Sequence, residues 1–151
     1  IVSIVGQNNG AGEIERVREC VRLCFKYGIY LIITASVLLF AFATPLVQIF
    51  TDDPAVIEIG TRYVRIVTFI QWAYVSGFVY IGFLQAMKRP MYGLVEALTR
   101  KIILPVIVFS LVVHVFDLSL EGFWMAMCAI NIVMAVITIS YGQSVLRKLH
   151  L

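Results

Sequence analysis

Charged side chains are scarce in this sequence: Asp, Glu, Lys and Arg make up 14% of its 151 residues, while 61% are hydrophobic. A soluble domain carries about 25% charged and 45–50% apolar residues. A soluble fold of this length could not hide so much apolar surface, and a mean hydropathy of +0.94 points instead to a bilayer. The formal charge of +3 is too small to argue for nucleic acid, and no acidic or basic tail or low-complexity tract stands out. Cysteine is also sparse. Cys20, Cys24 and Cys128 do not make a disulfide framework. Cys20 and Cys24 lie one helical turn apart with no histidine near them, so they read as reduced structural thiols rather than metal ligands. Histidine is limited to His114, near the far end of an apolar stretch, and His150 at the tail. No Ser/His/Asp or Cys/His set and no paired catalytic carboxylates are visible, so an enzyme has no candidate residues. A signal peptide is not the expected reading of the first residues either. Ile1 to Val5 are too short for its apolar core and lack a basic flank; they read as the end of an apolar helix that begins upstream, which makes the chain a fragment.

What the sequence does have is long apolar runs. A membrane span needs about 20 mostly apolar residues to cross roughly 30 Å of hydrocarbon. Four stretches meet that requirement: 27–50, 66–87, 91–116 and 123–141. Each is expected to be helical, because lipid offers backbone groups no partners. Thr51-Asp52-Asp53-Pro54 stops one helix and starts the next, with Pro54 suited to a first turn. Glu58, Arg62 and Arg65 then fall on a short lead-in turn. Lys88-Arg89-Pro90 makes a tight polar turn, and Asp117 to Gly122 close the last hairpin. Residues 1–26 hold a Gly-rich turn and an amphipathic lead-in. There Ile14, Val17, Val21, Cys24 and Phe25 follow one helical face and Glu15, Arg16, Arg18, Glu19 and Arg22 the other. Basic residues gather before the first span, between the second and third, and after the fourth. By the positive-inside rule both ends of the chain are cytoplasmic, with Arg62 and Arg65 as exceptions on the outer side.

Ionisable residues inside a span are expensive and often functional. Glu96 and Arg100 are one turn apart and can pair along the third helix. They suit the lining of a substrate cavity. Register leaves a second reading open: with the span ending at Phe116, Arg100 sits about 6 Å inside the boundary, from where it and Lys101 can snorkel to the headgroups. On the second helix Thr68, Gln71, Val75, Phe78, Gly82 and Gln85 follow one face, fit for a wet cavity with aromatic walls or for an interhelical hydrogen bond. Asn131, with Ala135, Thr138 and Gly142 below it, makes a narrower face that reads first as helix packing. Pro45 and Pro105 should each bend a span. The glycines at Gly6, Gly10 and Gly12 suggest a phosphate loop only superficially. No Lys-Ser/Thr follows them, and Glu13 would repel a phosphate.

Val5-Gly6-Gln7-Asn8-Asn9-Gly10-Ala11-Gly12, followed by a basic amphipathic stretch, resembles the multidrug and toxic compound extrusion (MATE) transporter family. In that family a Gly-Gln-x-x-Gly-Ala-Gly turn joins the second and third helices of each six-helix lobe, which here involves Gly6, Gln7, Gly10 and Gly12. Phe50 to Ile57, Tyr63-Val64-Arg65-Ile66, Arg100 to Pro105 and Glu121-Gly122-Phe123-Trp124 resemble later family segments in the expected order. The resemblance implies an all-α integral membrane fold whose four spans are helices nine to twelve of twelve. It further implies a plasma-membrane antiporter exporting small amphipathic, often cationic compounds in exchange for Na+ or H+. Its partners would be membrane lipid and the N-terminal lobe of the same polypeptide. Gln71, Phe78, Glu96, Arg100 and Asn131 are the candidates for lining the cavity. Some members place a coupling acid on the tenth helix. Gln71 stands in that helix here with no Asp or Glu, so the Na+ or H+ site is expected outside this chain. Two alternatives are a lipid-linked oligosaccharide flippase of the same broad superfamily and a small four-helix membrane scaffold.

Overall fold

A computed structural model describes residues 1–111 and 120–150. The end of the third apolar stretch with His114, the hairpin residue Asp117 and Leu151 lie outside them. The described residues are mostly helical, with short turns between the helices and no β-strand among them. The chain folds as an all-α membrane protein. Its helices are α1 (Val2–Gly10), α2 (Ile14–Ala41), α3 (Ala43–Gln48), α4 (Pro54–Thr68), α5 (Gln71–Ala86), α6 (Pro90–Leu98), α7 (Leu104–Leu111) and α8 (Leu120–Arg147).

The Gly-rich motif is mostly helix rather than loop. Gly6 and Gly10 belong to α1, and the turn is confined to Ala11–Glu13. Gly12, at φ 76°, is the one position there that needs a glycine. The Ala11 and Glu13 amides donate to the Gln7 and Asn8 carbonyls, closing the end of α1. The amphipathic lead-in and the first apolar stretch form one continuous helix, α2. Its break at Phe42 falls one turn before Pro45, whose missing N–H deprives the Ala41 carbonyl of its partner.

The lead-in to the second stretch is a full helix of 15 residues, longer than a turn. Asp53 nucleates it, its side chain accepting the Ala55 amide at 2.9 Å with Pro54 in the first turn. Asp53→Ala is expected to lower stability by about 1 kcal/mol, read as a lower thermal midpoint in detergent; an unchanged midpoint would show that the cap is idle. α4 and α5 meet at a 45° bend. No proline explains it, but the Thr68 hydroxyl donates to the Arg65 carbonyl at 2.6 Å and competes with the ladder at that point.

Between α6 and α7 lies one π-helical turn, Thr99–Ile103, in which the Leu104 amide donates to the Thr99 carbonyl. Pro105 is the cause: it has no N–H to offer Lys101, and the helix widens by one residue to accommodate its ring. The last helix outruns the apolar run 123–141 at both ends. Its stretch Glu121–Arg147 reaches about 40 Å, more than a hydrocarbon core.

α5 lies centrally, against α1, α2, α6 and α8. At one end of the bundle Val5, Val17, Val21, Tyr80, Phe83, Leu84 and Val145 make a closed apolar core. Arg18 donates to the Leu146 carbonyl there, and Arg89 to the Tyr141 hydroxyl. Elsewhere apolar side chains point outward: the most apolar window of α2 has no buried residue at all. Such a surface requires lipid or further helices around it.

Candidate functional site

The most enclosed charges are Glu96, on the last turn of α6, and Arg100, on the π turn. Their side chains are 2% and 5% exposed, and Arg100 Nε stands 3.0 Å from Glu96 Oε1. The spacing of four along one helix makes the contact possible, and the neighbouring α5 makes room for it. Gly77 is the reason: a Cβ there would stand 3.5 Å from Arg100 Nη1. The guanidinium also lies 5.4 Å from the centre of the Tyr74 ring, a cation–π distance. Charge attraction holds the pair, yet the hydrogen bonding is incomplete. Both Glu96 oxygens and Arg100 Nε and Nη1 lack a well-aligned partner among the described residues. A buried charge cluster of this kind is held by its environment, and removing one member exposes the other to the full cost of burial. Lys101, the next residue, is exposed.

Asn131 is buried on α8, its amide donating to the Met127 carbonyl at 2.8 Å. It lines a cavity of about 290 Å³ between α4, α5 and α8, together with Tyr63, Tyr74, Phe123, Trp124 and Cys128. Tyr74 thus borders both this cavity and the ion pair. Gln71, half-buried, opens α5 just past the bend. Phe78 is 68% exposed and points away from the packed side of α5. The five candidates therefore do not meet in one closed site within this chain. Glu96 and Arg100 sit together, Asn131 lines the cavity beyond Tyr74, and Phe78 is on an open surface. The stripe running from Gln71 to Gln85 is interrupted, because Ile1 and Val2 close over Gly82 and Gly28 packs on Val75. A larger groove of about 470 Å³, between α2 and the α4–α5 bend, is lined by Val37, Phe40, Phe69 and Trp72 and by no charged side chain. Sequence reasoning placed Tyr63 and Trp124 in family-like segments but not in the site, and did not single out Tyr74. The available signal was weak: Tyr74 lies three residues from Gly77 on one helix, a small residue where another helix can approach closely.

The MatE family model matches residues 1–103, well over half of the chain. The chain belongs to the MatE family. Among relatives, the probable multidrug resistance protein NorM of Thermotoga maritima is 28% identical over 136 residues, 85% of this chain and 28% of its own length. The FAD transporter of Shewanella oneidensis is 28% identical over 104 residues, covering 69% of this chain and 23% of its own length. A solved structure, the inward-facing conformation of a multidrug resistance MATE family transporter of the MOP superfamily, superposes on 99% of this chain with a TM-score of 0.89 at 17% identity. The chain spans 34% of that transporter's length and less than a third of either relative.

The MatE match includes the helix-ending turn at Gly12, the α4–α5 bend and the buried Glu96–Arg100 pair. The chain is a multi-pass membrane member of that family, and Glu96 and Arg100 belong to the matched part. No cluster of metal-ligating side chains exists among the described residues.

Proposed function

We propose that the full-length protein is a secondary active antiporter that exports amphipathic, often cationic compounds in exchange for Na+ or H+. In this reading the chain supplies helices nine to twelve of the second lobe, with spans at 27–50, 66–87, 91–116 and 123–141. The observation that carries the reading is the family match over residues 1–103. The named role of the Thermotoga relative in multidrug resistance favours export of drug-like compounds. The buried Glu96–Arg100 pair supports a polar element at membrane depth, where ionisable groups tend to mark transport pathways. The plasma membrane is the proposed location, with both ends of the chain cytoplasmic. Arg18 and Arg89 lie near the C-terminal end of α8, and Arg62 meets Glu121 on its first turn. That separation of the basic segments to one end supports the orientation. α5 offers Gln71 and no acid, so the coupling site is proposed to lie in the rest of the polypeptide.

A second reading, transport of a flavin dinucleotide, draws on the Shewanella relative. Dye accumulation in cells lacking their own efflux pumps tests the first reading. Cells making the full-length protein should hold less ethidium than controls. Glu96→Gln should reduce export roughly tenfold, about 1.4 kcal/mol on the limiting barrier. Equal ethidium in expressing and control cells, alongside movement of FAD, would favour the second reading.

A further inference from the structure

We infer that a groove between α2 and the C-terminal end of α8 binds the headgroup of an anionic phospholipid, with an acyl chain laid along α2 to the apolar groove at the α4–α5 bend. The site lies at the basic end of the bundle and does not depend on the export reading.

α2 and α8 both pack on α5. They leave between them a groove of about 480 Å³, floored by Tyr80. Three cations stand on its walls: Arg22 and Lys26, one turn apart on α2, and Arg147 on the last turn of α8. No carboxylate lines the groove among the described residues. Arg16 and Arg18, earlier on α2, are paired with Glu13 and Glu15, whereas no ion pair engages Arg22, Lys26 or Arg147 among the described residues. Tyr80 adds a donor. Its hydroxyl accepts from Gln143 Nε2 at 3.4 Å, which leaves its own O–H for a ligand oxygen. The carbonyl end of a helix repels an anion, but here Arg18 covers part of it by donating to the Leu146 carbonyl.

Three cations without an acid select a ligand of net negative charge, and phosphate oxygens suit Arg and Lys donors. The surroundings favour a lipid over a free phosphate. Phe25, edge-on to Tyr80 at 5.8 Å, makes one wall apolar. Lys26 Nζ lies 6.0 Å from the centres of both the Tyr27 and Tyr30 rings, where the exposed apolar surface of α2 begins. From Lys26, the exposed Tyr30, Ile33 and Val37 follow along one helical face. Ile33 and Val37 line the 470 Å³ apolar groove, which is thus reached about 10 Å along α2. A basic groove and an uncharged one, joined by a single helix face, match a molecule with a phosphate head and an apolar tail.

Native mass spectrometry of the full-length protein, titrated in detergent with dioleoyl phosphatidylglycerol, tests the assignment. Arg22→Gln with Arg147→Gln should weaken the binding of one lipid per chain about 25-fold, at roughly fivefold for each basic residue at an anionic surface. Both side chains are exposed, so the fold should tolerate the change. Lys148→Gln removes a charge at the same end but outside the groove, and should leave binding unchanged. Val37→Trp fills the apolar groove. It should weaken the dioleoyl lipid and spare dihexanoyl phosphatidylglycerol, whose chains are too short to reach it. Phosphatidylcholine and glycerol 3-phosphate should not compete. Competition by either one, an equal loss with Lys148→Gln, or a Val37→Trp protein that holds the dioleoyl lipid as tightly as its parent would overturn the inference.

Discussion

Arg100→Ala is expected to cost the full-length protein about 3–5 kcal/mol of stability, the scale for breaking a buried ion pair by removing one partner. The loss comes less from the missing attraction than from what is left behind. Glu96 is on a helix among apolar neighbours with its side chain 2% exposed, and no other cation pairs with it among the described residues. Its carboxylate would have to stay charged without a partner or take up a proton. Replacing both members with neutral groups of similar shape, Glu96→Gln with Arg100→Met, should restore most of the stability, because neither charge is then stranded. Thermal unfolding in detergent, followed by the loss of monodisperse protein, distinguishes the cases. If Arg100→Ala melts with the parent, the pair is solvated and the buried geometry is wrong.

Gly142→Ala should be the most damaging single-methyl change on α8. A Cβ at Gly142 would overlap Cδ1 of Tyr80 on α5, with Tyr80 Cγ at 3.0 Å and Cβ at 3.2 Å. Cβ and Cγ are not the free end of a flexible side chain. The Tyr80 ring is itself fixed, 5% exposed, edge-on to Phe25 at 5.8 Å and accepting from Gln143 at its hydroxyl. The α5–α8 contact must therefore open, at about 1–3 kcal/mol for overpacking. Gly6→Ala is the control. Nothing stands within 4 Å of a Cβ there and the residue is helical, so the change should be neutral or slightly stabilising. A purified Gly142→Ala protein as stable as the Gly6→Ala protein would contradict the close approach of the two helices.

The helical membrane architecture was legible in the sequence because lipid imposes a strong rule: apolar runs of span length must be helices. Breaks at Pro45 and Pro105 were equally readable, since proline acts on its own chain. The bend at Thr68 was not, because a hydroxyl that bonds back to a carbonyl leaves no mark in composition. The pairing of Glu96 with Arg100 followed from spacing alone. Its burial did not, for that depends on Gly77 and Tyr74 of another helix, and helix-to-helix register is a property of packing. Phe78 shows the converse. Its spacing placed it on a polar stripe, but which part of that stripe is covered was decided by Ile1, Val2 and Gly28, distant in sequence. The Gly-rich motif identified the family through residue types, while its conformation, helix up to Gly10 and one left-handed glycine, was visible only in three dimensions.

The measurement that bears most directly on the central claim is transport by the purified full-length protein in liposomes with an imposed Na+ or H+ gradient. The account predicts that ethidium moves against the cation flux, and that collapsing the gradient with an ionophore stops it. Dye movement indifferent to both gradients, or movement of a lipid-linked oligosaccharide with no dye movement at all, would contradict it.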